Sequence, residues 1–305
     1  MEKRKCLLLI SGGLDSMLAA KLLEADGVEV HPICFCTYFF GCDSATRACS
    51  NLGLPLRKED ISDIHLEMVK KPKHGLGSAH NPCIDCHLMM LVRAREIMEA
   101  EGYDFVATGE VLGQRPMSQN RNSLFLIEKE AGLEGRIVRP LSLNVLPKTE
   151  AEEKGMINKD NYPSISGRGR NMQISLIRDF GITSYPSPSG GCILTDKNYG
   201  ESLFRLFSHK PDATGSDCLL LRKGRVSIDD RMIVVIARNA EESAALEVAK
   251  EPGDTLFVPT DFSGPTILIR IIGSVDKETV REVGIKEMLS RSKNVPEDYH
   301  IDILD

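Results

Sequence analysis

Three stretches of this sequence combine residue types that do chemistry. The first is Ile10-Ser11-Gly12-Gly13-Leu14-Asp15-Ser16. It lies between an apolar run, residues 6–10, and a segment whose apolar residues Leu14, Met17, Leu18 and Leu22 follow helical spacing. That order reads as strand, tight glycine turn and helix. Gly12 and Gly13 let the backbone turn sharply and approach a ligand closely. Ser11 and Ser16 add hydroxyls, and the helix N-terminus offers unpaired N–H groups to an anion beside Asp15. Phosphate binding is the chemistry this combination suits, beyond an ordinary strand–helix turn. There is no Gly-x-x-x-x-Gly-Lys, so the loop is not of the Walker type.

The second stretch is Asn81-Pro82-Cys83-Ile84-Asp85-Cys86. Pro82 holds Asn81 extended, so both cysteines enter a helix from a turn. Thiols near a helix N-terminus are biased toward thiolate. One Cys-x-x-Cys leaves zinc, a redox pair and an iron–sulfur cluster all open, because a soft-metal site needs more than two ligands. The best third candidate is Cys192, at the end of the Pro- and Gly-rich residues 186–192, where a packed apolar role is unexpected. His80 and His87 flank the pair, but a histidine beside a turn acquires no role from position alone.

The third stretch is polar. Residues 108–119 follow a strand and gather Thr108, Gly109, Glu110, Gln114, Arg115 and Ser118, with Arg121 two residues beyond. Arg139-Pro140-Leu141 is followed by Pro147-Lys148-Thr149-Glu150, a helix start with a cation beside it. Lys148 there opposes the helix dipole unless it faces a phosphate. Arg168 and Arg170, on glycine-flexible backbone, suit a phosphate backbone or a nucleotide.

The elements that must position these residues alternate. Residues 6–10, 28–37 and 104–108 read as strands, and residues 44–52 and 88–101 as helices, the latter with Leu88, Leu91, Val92 and Ile97 on one side. Alternation predicts an α/β fold with a parallel sheet, and ligands collect at the carboxyl ends of such strands. At 305 residues the chain suits two domains, at about 150 each. With 42% hydrophobic and 27% charged residues it has an ordinary globular composition. The net charge of −6 supplies no general basic field, so a nucleic-acid partner would need local patches. No run approaches the roughly 18 apolar residues of a membrane span, and the N-terminus leads into a strand rather than a signal peptide. The expected setting is cytoplasmic, where nine cysteines are reduced thiols or metal ligands rather than disulfides. Cys34 and Cys36 share a strand face and read as core, as do Cys6 and Cys218. Cys42 and Cys49 gain no role from their spacing.

Together these motifs resemble a known family. Ser11–Ser16, residues 108–119, and Arg139-Pro-Leu with Lys148-x-Glu150 resemble the catalytic domain of tRNA 4-thiouridine synthetases. Asn81-Pro-Cys83-x-x-Cys86 with Cys192 also resembles tRNA 2-thiouridylases and cluster-dependent thiolases. The resemblance covers roughly residues 4–195. It implies a PP-loop fold (adenine nucleotide alpha hydrolase-like), with Ser11, Gly12, Gly13, Asp15 and Ser16 binding ATP phosphates and Mg2+. Gly109, Gln114 and Lys148 would complete the nucleotide site. Cys83, Cys86 and Cys192 would hold a [4Fe-4S] cluster whose free iron takes up sulfide; some relatives instead use paired cysteines as persulfide carrier and resolving thiol. tRNA is the implied partner, with sulfide or a persulfide as sulfur donor. Against the 4-thiouridine synthetases, the sequence is expected to lack an N-terminal RNA-binding extension, which leaves the mode of tRNA capture open. It is also expected to lack an appended rhodanese-like domain, which favours a cluster with free sulfide over a relayed persulfide.

Residues 1–196 are expected to form the PP-loop domain and 197–305 a smaller α+β domain. In the latter, residues 218–222, 232–237, 255–258 and 266–272 read as strands, and 241–250 and 277–290 as helices. Lys210, Arg222, Lys223, Arg225, Arg231 and Arg238 would give this domain a basic surface, faintly similar to an NFACT-type RNA-binding segment. An oligomerisation or lid domain is the alternative, and a homodimer is neither required nor excluded. The expected activity is ATP-dependent tRNA uridine thiolation. The rivals are an amidating enzyme with the same ATP loop and a nucleotide-binding regulator with a structural zinc.

Overall fold

Apolar side chains at successive positions of one strand demand cover on both of its faces. In the computed structural model, which describes residues 4–185 and 192–305, β1 (Lys5–Leu9) has that cover. Its unit, Met1–Gly77 with Asn81–Gly191, continues through α1 (Leu14–Ala25), β2 (Glu29–Cys36), α2 (Asp43–Leu52), β3 (Arg57–Asp60) and α3 (Ser62–Lys70). Then come α4 (Cys83–Glu101), β4 (Phe105–Thr108), α5 (Arg121–Glu130), β5 (Ile137–Val138), α6 (Glu150–Glu153) and α7 (Asn171–Asp179). The strands form one sheet in the order β3-β2-β1-β4-β5, every pair parallel. Cys6 and Leu8 face a cluster with Leu14, Leu18 and Leu22 of α1 and Ile177 of α7. Leu7 faces the other cluster, with Leu91 and Ile97 of α4 and Ile127 of α5. Side-chain alternation thus feeds two cores from one strand. The strand order reverses direction between β1 and β4, the place where such sheets open a crevice at their carboxyl ends.

The second unit, Ser78–His80 with Cys192–Asp305, holds α8 (Lys197–His209), α9 (Gly215–Leu220), β6 (Arg225–Ile228), β7 (Met232–Ile236), α10 (Ala240–Ala249), β8 (Thr255–Pro259), β9 (Ile267–Ile271), α11 (Lys277–Leu289) and β10 (Ile301–Leu304). Its sheet is antiparallel, in the order β10-β8-β9-β7-β6. Val280 and Met288 of α11 cover Phe257, Ile267 and Ile269. Among the described residues no helix is long and apolar enough to cross a membrane.

Several expectations need correction. The division falls at 191/192 rather than 196/197, which puts Cys192 in the second unit. Residues 218–222 are not a strand: Thr214 and Asp217 form a reciprocal capping box that starts α9, and Cys218 is buried on that helix. Cys36 and Cys42 are not separate thiols but a disulfide, with Cα atoms 5.8 Å apart. The turn after β2 returns the chain so that the residue before α2 meets the last residue of the strand. Residues 186–191, the Pro- and Gly-rich approach to Cys192, lie outside the described residues.

Candidate nucleotide and thiol site

The site is built at the carboxyl ends of β1 and β4. After β1, Gly12 adopts φ +79°, and a Cβ there would lie 2.2 Å from the Ser44 carbonyl carbon. Only glycine fits such a conformation against α2. Gly13 precedes α1, and no side chain caps that helix. Its carbonyl accepts the Ser16 N–H at 3.1 Å and the Ser16 hydroxyl at 2.8 Å. Ser16 is therefore a buried support for the turn, while Ser11 is exposed at its tip. Helix N–H groups left without a cap are the donors an anion needs.

Asp15 is held from two directions. Gln114 Nε2 donates to Oδ2 at 2.6 Å and Gln173 Nε2 to Oδ1 at 3.4 Å. Gln173, from the first turn of α7, is fully buried, and the Oε1 atoms of both glutamines are buried without a hydrogen-bond partner. Sequence reasoning found Gln114 but missed Gln173. Its signal was only its place after Arg168 and Arg170, whose segment docks where Gly167 N donates to Leu112 O at 2.6 Å. A carboxylate oxygen is the donor a hard cation such as Mg2+ takes.

Gly109 joins the two strand ends, since a Cβ there would lie 2.6 Å from Ser16 Cα. The next residue, Glu110, is the hub of a buried network. It receives His87 Nδ1 at 2.9 Å, Thr108 Oγ1 at 3.1 Å and Arg139 Nε at 3.0 Å. Arg139 also donates to Glu128 at 2.7 Å. Burial works to raise the Glu110 carboxyl, but the hydrogen bond from His87 and the charge of Arg139 outweigh it and hold the group at about 2. His87, unassigned in the sequence, thus ties α4 to the end of β4.

The thiols stand in the first turn of that same helix. Asn81 Nδ2 donates to Cys83 Sγ at 2.9 Å, and Cys83 is half-buried. Cys86 is buried, with His65 Nε2 3.2 Å from its sulfur. His65 is fully enclosed beside the Phe39 and Phe40 rings, and burial lowers its pKa to about 4. It is another residue the sequence did not single out. Between the cysteines, Asp85 accepts the His74 N–H at 2.9 Å and pairs with Nδ1 at 2.8 Å, and His74 Nε2 reaches Glu130 at 3.1 Å. These bonds pin His74, in the segment after α3, onto the start of α4.

Lys148 is exposed and lines a cavity of about 280 Å³ with Phe125, Glu128, Arg139 and Leu146, at the sheet's β5 edge. The adjoining Glu150 N–H bonds Gly135, at the amino end of β5. Cys192, in the second unit, is half-buried and accepts the Leu194 N–H at 3.4 Å. Among the described residues no three His, Cys, Asp or Glu side chains gather as a metal site. The start of α4 offers two thiols, Cys83 and Cys86, and the third cysteine of the implied set, Cys192, belongs to the second unit. The expected basic surface is also reduced. Lys210 is tied to Asp217 at 2.7 Å, Arg231 to Asp229 at 3.1 Å and Arg238 to Glu242 at 2.9 Å.

Residues 2–145 match the family model described as Thiamine biosynthesis protein (ThiI). That match takes in the phosphate loop, Cys83, Cys86, Gln114 and Arg139, and ends before Lys148, Gln173 and Cys192. Over 124 residues the chain is 32% identical to tRNA-specific 2-thiouridylase MnmA 1 of Syntrophus aciditrophicus, covering 35% of this chain and 33% of that protein. It is 32% identical over 123 residues to the MnmA 2-thiouridylase of Chloroflexus aggregans, covering 34% of each. The matched region thus spans about a third of the length of these curated relatives. Among solved structures, a 4-thiouridine synthetase–RNA complex with bound ATP is similar at 22% identity and a TM-score of 0.38, covering 59% of this chain and 52% of that chain.

Proposed function

We propose that the chain is an ATP-dependent tRNA uridine thiolase. The observation that carries this reading is the Gly109–Glu110–His87 connection, which sets an activating loop and a pair of thiols at one edge of one sheet. A phosphate site alone would suit any adenylylating enzyme. A thiol pair braced against the same strand end suits one that delivers sulfur to the activated product.

In this reading a uracil carbonyl oxygen attacks the α-phosphorus of ATP and pyrophosphate departs. Sulfur then adds to the activated carbon, and AMP leaves with the original oxygen. The Gly12–Gly13 turn and the uncapped start of α1 bind phosphate oxygens, donating N–H groups where charge develops. Asp15, oriented by Gln114 and Gln173, would hold Mg2+, which supplies neutralisation of the departing pyrophosphate. Much of the first step is positioning. Arg115 and Arg168 are exposed cations for the tRNA backbone, and the target base must leave its stack to reach the crevice. Cys83 receives sulfane sulfur from a donor persulfide, R–S–SH, as R–SH leaves. The Cys83 persulfide adds to the activated carbon, and Cys86 then attacks Cys83 Sγ and releases the thiouracil. A dithiol reduces the resulting Cys83–Cys86 disulfide, with Asn81 and His65 steadying the two sulfurs.

The test is anaerobic incubation with ATP, a small-molecule persulfide, a dithiol and unmodified tRNA, followed by nucleoside mass spectrometry. Expected are thiouridine and one pyrophosphate per modified base, lost in Cys83→Ala and Cys86→Ala while ATP binding survives. ATP turnover without thiouridine would reject the reading in favour of another adenylylating enzyme. Iron and acid-labile sulfide in active protein, absent from the Cys192→Ala variant, would replace the persulfide route with a cluster on Cys83, Cys86 and Cys192.

A further inference from the structure

On the β2 side of the phosphate loop lies a cysteine patch that thiolation does not use. Cys34, Cys42 and Cys49 gather with Ile10 and Ala45, and Cys36 packs against them. Burial pushes the Cys34 and Cys49 thiols up to about 11, so both stay protonated and inert near neutrality. Cys36 and Cys42 differ. They are bonded to each other across six positions. Cys36 ends β2 and is half-buried, whereas Cys42 precedes α2, where the helix dipole favours a thiolate. The turn between them is closed without the disulfide. Thr37 N donates to Phe40 O at 2.8 Å, and Thr37 Oγ1 accepts the Phe39 and Phe40 N–H groups at 3.0 and 3.2 Å. The two sulfurs therefore stay close when the bond opens, which favours its reversal. Two residues after Cys42, the Ser44 backbone is the surface on which Gly12 rests.

We propose that Cys36 and Cys42 are a reversible dithiol–disulfide pair that couples thiol redox state to the phosphate loop. The oxidant is a low-molecular-weight disulfide. The Cys36 thiolate attacks one of its sulfurs, releasing one small thiol and forming a mixed disulfide on the more accessible cysteine. The Cys42 thiolate then displaces the second small thiol. Two S–H bonds are lost, one Sγ–Sγ bond forms, and the two electrons and two protons end on the two released thiols. A dithiol reverses the sequence. The closed bond ties the first turn of α2 to the end of β2 and so steadies the bed under Gly12. The open form lets that turn shift, and the loop loosens.

The ligand arm of the test rests on the ATP reading above; the structural arm does not. The full chain is equilibrated in mixtures of small disulfide and dithiol, quenched with an alkylating agent, and the Cys36–Cys42 peptide is quantified by mass. Amide hydrogen exchange at residues 11–16 is measured in both forms, and ATP affinity by calorimetry. Support consists of a bond that interconverts, faster exchange at residues 11–16 when it is open, and ATP binding about threefold weaker, a change well under 1.4 kcal/mol. Cys36→Ser and Cys42→Ser should each behave as the open form, and Cys34→Ser should still switch. The proposal is overturned if no mixture yields the Cys36–Cys42 bond, or if exchange at residues 11–16 is equal in both forms. Absence of ATP binding in both forms would reject the ATP reading, while the exchange result would still decide the coupling.

Discussion

Two buried arginines, one in each unit, show how one charge motif serves two ends. Arg270 in the antiparallel unit donates to Asp254 at 2.8 and 2.9 Å, to Asp217 at 3.2 Å, to Ser216 at 3.0 Å and to the Ala249 carbonyl at 3.3 Å. All three of its nitrogens are engaged, and its partners belong to α9 and to the residues bordering α10 and β8. Arg139 in the parallel unit is equally buried between two carboxylates, yet its Nη2 has no partner. Its carboxylate Glu110 is shared with His87, next to Cys86. A closed network fastens elements together. An open one, at the carboxyl ends of the strands, keeps a buried donor in reserve, which the proposed function would use.

The largest effects come from breaking each network. Arg270→Met and Arg139→Met should each cost about 3–5 kcal/mol by denaturant unfolding, because carboxylates are left buried and unpaired. They should differ in turnover per folded molecule. Arg270→Met should keep ATP-dependent pyrophosphate release, and Arg139→Met should lose it; equal losses in both would erase the distinction drawn here.

Asp15→Ala sharpens the contrast from the other side. It removes the anchored carboxylate without opening the core. Pyrophosphate release should fall about 10²- to 10³-fold, the size seen when one stabilising group is lost from a reacting centre. The urea midpoint should stay put.

Acid should reach the first unit through Glu110. Its carboxyl is held at about 2 in the folded chain against an ordinary 4.5. The stabilisation is present in full above the unfolded value and disappears as pH falls from 4.5 toward 2, on the order of 3 kcal/mol. Glu110→Gln should flatten that limb of the stability–pH curve. A curve unchanged by the substitution would assign the acid transition elsewhere.

The smallest expected effect is at His74. The hydrogen bond to Asp85 raises its pKa above 6.5, against an opposing contribution from burial. A raised histidine stabilises below its unfolded value and loses that contribution as pH rises through the folded one. Amides in residues 74–81 should therefore exchange more slowly at pH 6 than at pH 8.5 after correction for intrinsic rates, and His74→Gln should remove the difference.

Local chemistry was legible along the chain. Glycine pairs at a strand–helix junction, Pro82 before two cysteines and apolar runs of strand length each state their meaning within a few residues. So the parallel sheet, the glycine turn after β1 and the helix carrying Cys83 and Cys86 could be read before any fold was seen. β3 escaped because Arg57-Lys58-Glu59-Asp60 is an edge strand with no apolar face to announce it. The leucines of residues 219–221 suggested a strand, although Thr214-x-x-Asp217 before them carried the capping signal that makes a helix. What only the tertiary structure decided is long-range. Gln173 meets Asp15 across 158 positions, His65 meets Cys86 across 21, and Arg139 meets Glu110 across 29. No local pattern encodes such pairs, because each depends on which strands are neighbours and how two helices cross them. The same holds for the cysteines: spacing alone made Cys36 a core residue and Cys42 nothing at all. The turn that brings them together is a property of the folded backbone, and with it comes the bond that ends beside the phosphate loop.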